Sequence, residues 1–476
     1  MTQVPKTTLS SKSGCDPVAG EGAMSLSPDA GPLSPHRRKL LGAGAAALAS
    51  AGLGLAAPAV MAQAKRFSGV TLNVSCWSAR YPALLADYIS EFTEATGAKV
   101  NYDTPGLQVY NQRADLELST KGSGYDVLNI TFVFTNRWIG NGWLTPLDPY
   151  INDRNKTAAD FDFADFLPGA VSPLKDRKGV THGIPWVTDS GMAIASRFDL
   201  FKANGLAMPD TFDELERSLG VVHKKDGVDG FLADNHWGFW YPPFLQGYGG
   251  NVFRAPPDDL MPTLDTPEAI VAAEQLARIV SKFGPPGAGG MSYGQTGELI
   301  RAGKANHSLQ THSGGMSMME SNSKVASTLR FSLYPRGPKG RFPGIASHGW
   351  GIPVGSKNKD AAWEFIKWAT SKALLNRMVK EKGLGSVTRR SIFDAPEYRK
   401  LITVNGQDTG QIVLDTIKLG EQGHMKYRTV PAYPQINVQL NQALGRIISG
   451  QMSAKESMKQ AQVAAIADLK RAGIKI

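Results

Sequence analysis

Gly290-Met291-Ser292-Tyr293-Gly294 fits the Gly-x-Ser-x-Gly pattern, which can place a serine nucleophile on a sharp strand-to-helix turn. Such an elbow needs a strand directly before the serine. The preceding residues, "FGPPGAGG" from Phe283, cannot supply one. Gly303-Lys304 is followed by Ala305, so the chain has no phosphate-cradling loop there. Neither His-x-x-x-His with a glutamate nor Cys-x-x-Cys occurs, and no carboxylate cluster surrounds His307 and His312. A complete set of nucleophile, base and oxyanion donors is not readable, so no catalytic residue, metal or cofactor is expected. The dense feature is aromatic. "HWGFWYPPFLQGYGG" gathers His236, Trp237, Phe239, Trp240, Tyr241 and Tyr248 within one short stretch. That density exceeds what a core segment needs, and rings of this kind stack on small molecules.

The elements that must carry these residues are legible from periodicity. Val70, Leu72 and Val74 alternate with polar residues, which predicts a strand. Tyr81, Leu84, Leu85, Tyr88, Ile89 and Phe92 fall on one face of a helix that Gly97 ends. "KVNY" predicts a second strand, a helix follows near Asn111 to Thr120, and "YDVLNI" predicts a third strand. This alternation argues for an α/β protein with a largely parallel sheet. Thr211 with Glu214, and Ser453 with Glu456, predict capping boxes. Thr266-Pro267-Glu268 predicts another helix start, and Gly284-Pro285 its stop. No internal repeat is evident.

The 476 residues carry a net charge of +10. Arg37-Arg38-Lys39 precedes an uncharged, Gly- and Ala-rich run that closes at Ala62-Gln63-Ala64. Four glycines weaken that run as a permanent helix, and the pattern resembles a twin-arginine (Tat) export signal cut near Ala64. His36, Leu40 and Gly42 depart from the signal's usual residues. Residues 1–33 are rich in Ser, Pro and Gly and predict disorder, with Met24 an alternative start. Without residues 1–64 the charge is +8, scattered, with no basic block carrying interleaved aromatics, so nucleic acid is not an expected partner. Cys76 is then the sole cysteine, and no disulfide within the chain is possible. The remaining length suits two domains.

"GVTHGIPWVTDSGMAIASRFDLFKANGLAMPDTFDELE" (Gly179–Glu216) resembles the signature of extracellular solute-binding proteins of bacterial ABC importers, in particular the sugar-binding, maltose-binding-like family. Three further blocks agree in order: "YDVLNITFVFTNRWIGNGWLTPLDPYI", "GWGIPVGSKNKDAAWEFIKWATS" and "RTVPAYPQINVQLNQALGRIISGQMSAKESMKQA". The resemblance spans essentially all of Lys65 to Ile476. It implies a two-lobed periplasmic-binding-protein fold (type II), with hinge strands crossing near Thr188-Asp189 and Ser347-His348, and a third crossing between Gly385 and Arg389. The expected organisation is a leader and signal in 1–64, a first lobe from 65–188 and 347–388, and a second lobe from 189–346 and 389–476.

The implied function is a periplasmic, monomeric receptor that takes a carbohydrate or polyol and hands it to membrane permease subunits. A receptor for a polyamine, a phosphate ester or a metal ion is the alternative, and a periplasmic enzyme on a similar scaffold is a further one. For phosphate, only Arg80, Arg389 and Arg428 offer themselves. By position in the family pattern, Trp77 and Ser78 belong to the first strand-to-helix loop lining the cleft. Tyr81 fits either the cleft or the core. Phe132 stands where the family stacks a ring, and Asp189 takes the acidic hinge position. At least one of Trp237, Trp240 and Tyr241 is expected on the ligand. His312 stands where the family often has a tryptophan, Gly349 and Trp350 follow the second hinge, and Arg389 stands where an arginine often meets hydroxyls.

Overall fold

The computed structural model describes residues 65–476, and the expected leader and export signal in 1–64 fall outside the described residues. Three strands open the fold: β1 (Thr71–Ser75), β2 (Lys99–Asp103) and β3 (Val127–Ile130), with β2 and β3 both parallel to β1. The apolar stripe from Tyr81 to Phe92 does not form one helix. It splits into Arg80–Ala86 and Ile89–Thr96. The break at Asp87-Tyr88 turns the Tyr88 hydroxyl to donate to Glu381 at 2.8 Å, with the Arg377 guanidinium over its ring. Gly97, at φ 82°, ends the second piece in the left-handed conformation that glycine adopts without strain.

β4 (Ile184–Ala195) is the long strand of the molecule. β5 (Asp229–Leu232) leads into helix Trp237–Gly247, a hairpin of β6 (Phe253–Ala255) and β7 (Asp259–Pro262), and helix Pro267–Phe283. β8 (Ala305–Thr311), β9 (Arg330–Leu333) and β10 (Ile345–Gly351) complete the main sheet, ordered β2-β1-β3-β10-β4-β8-β5 with β9 on β4. Thr211 and Glu214 form the full predicted capping box, whereas at Ser453 the hydroxyl accepts from the Glu456 N–H and donates to the Glu456 carboxylate at 2.7 Å, so that helix has an N-cap without the reciprocal backbone bond.

Two lobes share this sheet because β4 works for both. Ile184 to Ser190 pair with β10, which itself pairs with β3. Gly191 to Ala195 pair instead with β8 and β9. The change of partner falls beside Asp189. A register shift between His348 and Gly349 leaves Trp186 as an extra residue in β4, a bulge that bends the strand at the crossing. The segment after Gly385 runs alongside: the Thr188 N–H donates to Ser386 Oγ at 3.1 Å, and the Thr388 hydroxyl to the Pro185 carbonyl at 3.1 Å. Helix Tyr433–Ile448 packs on Ala454–Arg471, Trp237–Gly247 and Pro267–Phe283, which buries the second lobe's apolar faces. Among the described residues, no helix is long and apolar enough to cross a membrane.

Candidate functional site

β1 ends at Ser75, and the chain turns through Cys76 and Trp77 into helix Arg80–Ala86. The turn aims the Trp77 ring toward the crossing strands. It meets Tyr81 edge-on at 5.5 Å between centroids, His348 of β10 at 5.6 Å and Tyr293 of the second lobe at 6.4 Å. Trp77, His348 and Tyr293 line a narrow cavity of about 50 Å³. Its other walls are Leu107, Phe132, Phe239 and Trp240, and its polar groups come from Asp189, Asp234, His236, Thr311 and His348. Residues from β1, β3, β4, β8 and β10 and from helix Trp237–Gly247 therefore converge at strand ends between the lobes, where open α/β sheets place ligands.

The electrostatics of the cavity are lopsided. Asp189 is buried, and the Ser313 N–H donates to it over a long 3.4 Å. Burial pushes its carboxyl up to about 6, against the hydrogen bonds from Ser313 and Thr311, which pull it down. Asp234 is also buried, and its carboxylate lies 2.5 Å from His236 Nδ1. Burial alone would lower the His236 pKa; the Asp234 charge and its hydrogen bond together outweigh it, and the net shift is upward. Burial takes His348 down to about 3, which leaves it neutral. Three buried nitrogens at the cavity have no hydrogen-bond partner among the described residues: Trp77 Nε1, Trp240 Nε1 and His348 Nδ1. Each unsatisfied buried donor of this kind costs about 1–3 kcal/mol. Among the described residues, no Arg or Lys side chain lines the cavity. Nor, among them, does any group of three His, Cys, Asp or Glu gather as a metal site.

Trp77, Phe132, Asp189 and Trp240, all expected from the sequence, stand together on this cavity. The other expected residues do not line it. Ser78 lies exposed beside it, its N–H bonded to the Pro105 carbonyl at 2.7 Å. Tyr81 is one ring back, edge-on to Trp186 at 5.0 Å. Trp237 is buried in the second lobe, and the Tyr241 hydroxyl donates to the Ala269 carbonyl at 2.8 Å. His312 pairs with the Thr409 hydroxyl at 2.9 Å, and burial lowers its pKa to about 4. Gly349 lies against Leu174, whose Cδ1 would be 2.4 Å from an added Cβ. Trp350 packs on Trp186 at 4.7 Å and on Phe365.

Arg389 is the sharpest correction. It is fully buried, and its guanidinium donates to the Thr370, Phe161 and Asp162 carbonyls and lies 3.9 Å from the Phe166 ring centroid. A side chain with its donors committed in this way cannot reach hydroxyls in the cleft. Ser292 is likewise committed: it caps helix Tyr293–Arg301 by accepting from the Gln295 N–H, which is the role its Gly-x-Ser-x-Gly setting serves.

Sequence reasoning missed Asp234, Phe239, Tyr293 and His348 as cavity residues. Phe239 sits in the aromatic stretch and Tyr293 in the serine motif, so their signal is present in the chain but points at their neighbours. His348 stands out in sequence only as a hinge residue. Asp234 carries no local signal.

The chain is similar to the mannitol-binding protein of Pseudomonas aeruginosa, with 26% identity over 385 residues, covering 77% of this chain and 85% of that one. It is similar to the erythritol/L-threitol-binding protein of Mycolicibacterium smegmatis, with 24% identity over 378 residues, covering 75% and 78%. A crystal structure of an ABC transporter solute-binding protein from Agrobacterium vitis S4, with bound D-mannitol, superposes with a TM-score of 0.76 at 26% identity, over 85% of this chain and 99% of that one. Residues 78–374 match the bacterial extracellular solute-binding proteins, and the chain belongs to that family.

Proposed function

We propose that this protein is an exported receptor that closes on one acyclic polyol and delivers it, chemically unchanged, to the permease of an ABC importer. The observation that carries this reading is the pairing of unpartnered donors with carboxylate acceptors in one aromatic cavity. Trp77 and Trp240 offer N–H groups that want an acceptor, the neutral His348 offers a ring nitrogen that takes either role, and Asp189 and Asp234 want donors. A hydroxyl is both donor and acceptor, so a chain of hydroxyls answers both needs at once. A polyamine would answer the carboxylates and leave the indole N–H groups unpaired. A phosphate ester would bring negative charge to two carboxylates, with no Arg or Lys side chain among the lining residues. The relatives named for mannitol and for erythritol or threitol support the same chemistry.

Mannitol, erythritol and threitol are open-chain polyols, and the names of these relatives favour an open chain over a sugar ring. On this reading the lobes comprise 65–188 with 347–388, and 189–346 with 389–476, and the receptor acts as a monomer in the periplasm, released there after Tat export and cleavage near Ala64. Titration calorimetry with erythritol, ribitol and D-mannitol, followed by recovery of the ligand, tests it. Binding of none of them, or a chemically altered ligand, sinks the proposal.

A further inference from the structure

Phe132 follows β3 in the first lobe, and Phe239 lies on helix Trp237–Gly247 in the second. Their rings meet across the cleft at 5.2 Å between centroids, inclined at 66°. Behind them lies Arg428, more than nine-tenths buried, with its guanidinium 4.8 Å from the Phe132 centroid and 5.2 Å from that of Phe239. Arg428 is itself held. Its Nε donates to the Tyr427 hydroxyl at 3.2 Å, its Nη1 to the Ile345 carbonyl on β10, and its own carbonyl accepts from Asn136 Nδ2 at 3.1 Å. Its Nη2 is buried with no partner among the described residues.

Phe239 has equally little room to move. Trp240 is edge-on to it at 4.7 Å. It also rests on Gly344, where an added Cβ would come within 3.0 Å of the Phe239 ring. A glycine at 344 is what lets the ring lie this close to the hinge backbone. The two phenyl rings therefore form the wall between the cavity and Arg428, and that wall is apolar on the ligand side.

We propose that Phe132 and Phe239, clasped by Arg428, are the stop that sets the maximum length of the bound polyol. The inference rests on the polyol reading above and deepens it. A longer ligand must push apart a pair of rings that share a cation, and then leave hydroxyls against phenyl faces. Removing one ring changes both conditions. It opens a ring-sized space, and it exposes the unpartnered Nη2 of Arg428 as a new donor for a hydroxyl.

The experiment compares ribitol and D-mannitol with maltitol, a hexitol extended by a glucosyl group, on the wild type and on Phe132→Ala and Phe239→Ala. Calorimetry gives affinities, and melting curves give folding. The wild type should prefer the better of the two short polyols over maltitol by at least 100-fold. Each variant should narrow that ratio by tenfold or more through tighter maltitol binding. Phe132 is only half-buried, so its variant carries the test if Phe239→Ala does not fold, and Phe132→Leu, which shortens the side chain but keeps it apolar, decides it if neither alanine variant folds. A folded variant with an unchanged ratio overturns the stop and leaves the polyol reading standing. A wild type that binds maltitol as tightly as the short polyols does the same. A wild type that binds neither short polyol overturns the reading and the stop together.

Discussion

Arg80 and Glu320 form an ion pair between distant segments, Arg80 Nε donating to Glu320 Oε1 at 2.5 Å. Arg80 starts the helix after β1, and Glu320 follows β8, so the pair ties one lobe to the other. The same guanidinium donates to the Lys382 and Gly383 carbonyls, which fixes its direction. Both side chains are about one-third exposed, so the pair is worth at most about 1 kcal/mol. Glu320→Gln should weaken ligand affinity about two- to fivefold, mainly through faster release, with the difference shrinking in 1 M salt. Stopped-flow dissociation at two salt concentrations reads it; a loss that is unchanged by salt contradicts the latch.

Asp189 should make binding depend on pH. Ligand hydroxyls donate to the ionised carboxylate, so affinity is level above pH 7 and falls below pH 6, approaching tenfold per unit, as a carboxyl near 6 takes up its proton. Asp189→Asn should bind weakly and lose the pH dependence. A wild-type affinity that is level from pH 8 to pH 5 would remove Asp189 from the ligand.

The same residue should cost stability in the empty receptor. Its folded pKa, about 6, exceeds the ordinary carboxyl value of 3.8, so between these values the folded state binds more protons than the unfolded state. Stability from this group is then present below about pH 4 and is lost as pH rises to 6, by up to about 3 kcal/mol. Unliganded Asp189→Asn should melt higher than wild type at pH 7.5 and lose that advantage near pH 4. Melting curves at both pH values check it, and a variant less stable at pH 7.5 speaks against an uncompensated carboxylate.

Three tryptophans should separate by location. Trp77→Phe and Trp240→Phe keep a ring and delete an N–H at the cavity, so each should lower affinity about three- to tenfold. Trp350→Phe deletes an N–H outside the cavity and should leave affinity unchanged. Calorimetry on the three variants distinguishes them. An equal effect of all three would show that ring packing, not hydrogen bonding, dominates.

Arg389→Met should destabilise without touching affinity. The substitution strands three backbone carbonyls and leaves Asp165, itself nearly buried, without its guanidinium neighbour at 3.4 Å. Breaking a buried pair of this kind costs about 3–5 kcal/mol. Urea unfolding gives the loss, and calorimetry at low temperature gives the affinity. A stable variant with weakened binding would return Arg389 to the cleft.

Local order is legible in the chain. Alternation in "TLNVS", the glycine stop at Gly97 and the capping residues Thr211 and Ser453 each act within a turn or two, and the corresponding strands and helices form where those signals stand. The acidic residue at the hinge is legible too, because the motif around Asp189 is continuous in sequence.

Tertiary structure decided which aromatic faces the cleft. Helix Trp237–Gly247 is buried on every side, so periodicity offers no outward face to choose. Packing turns Tyr241 to helix Pro267–Phe283, while Phe239 and Trp240 reach the cavity. His348 and Trp350 share a face of β10, yet two residues along a strand span roughly 6.6 Å, and the row of rings from His348 through Tyr81 and Trp186 to Trp350 leads away from the cavity. Arg389 finds Phe161 and Asp165 more than 200 residues earlier in the chain. Short-range sterics and hydrogen bonds leave their mark in sequence. The partners of a buried ring or charge come from distant segments, and only the folded chain brings those segments together.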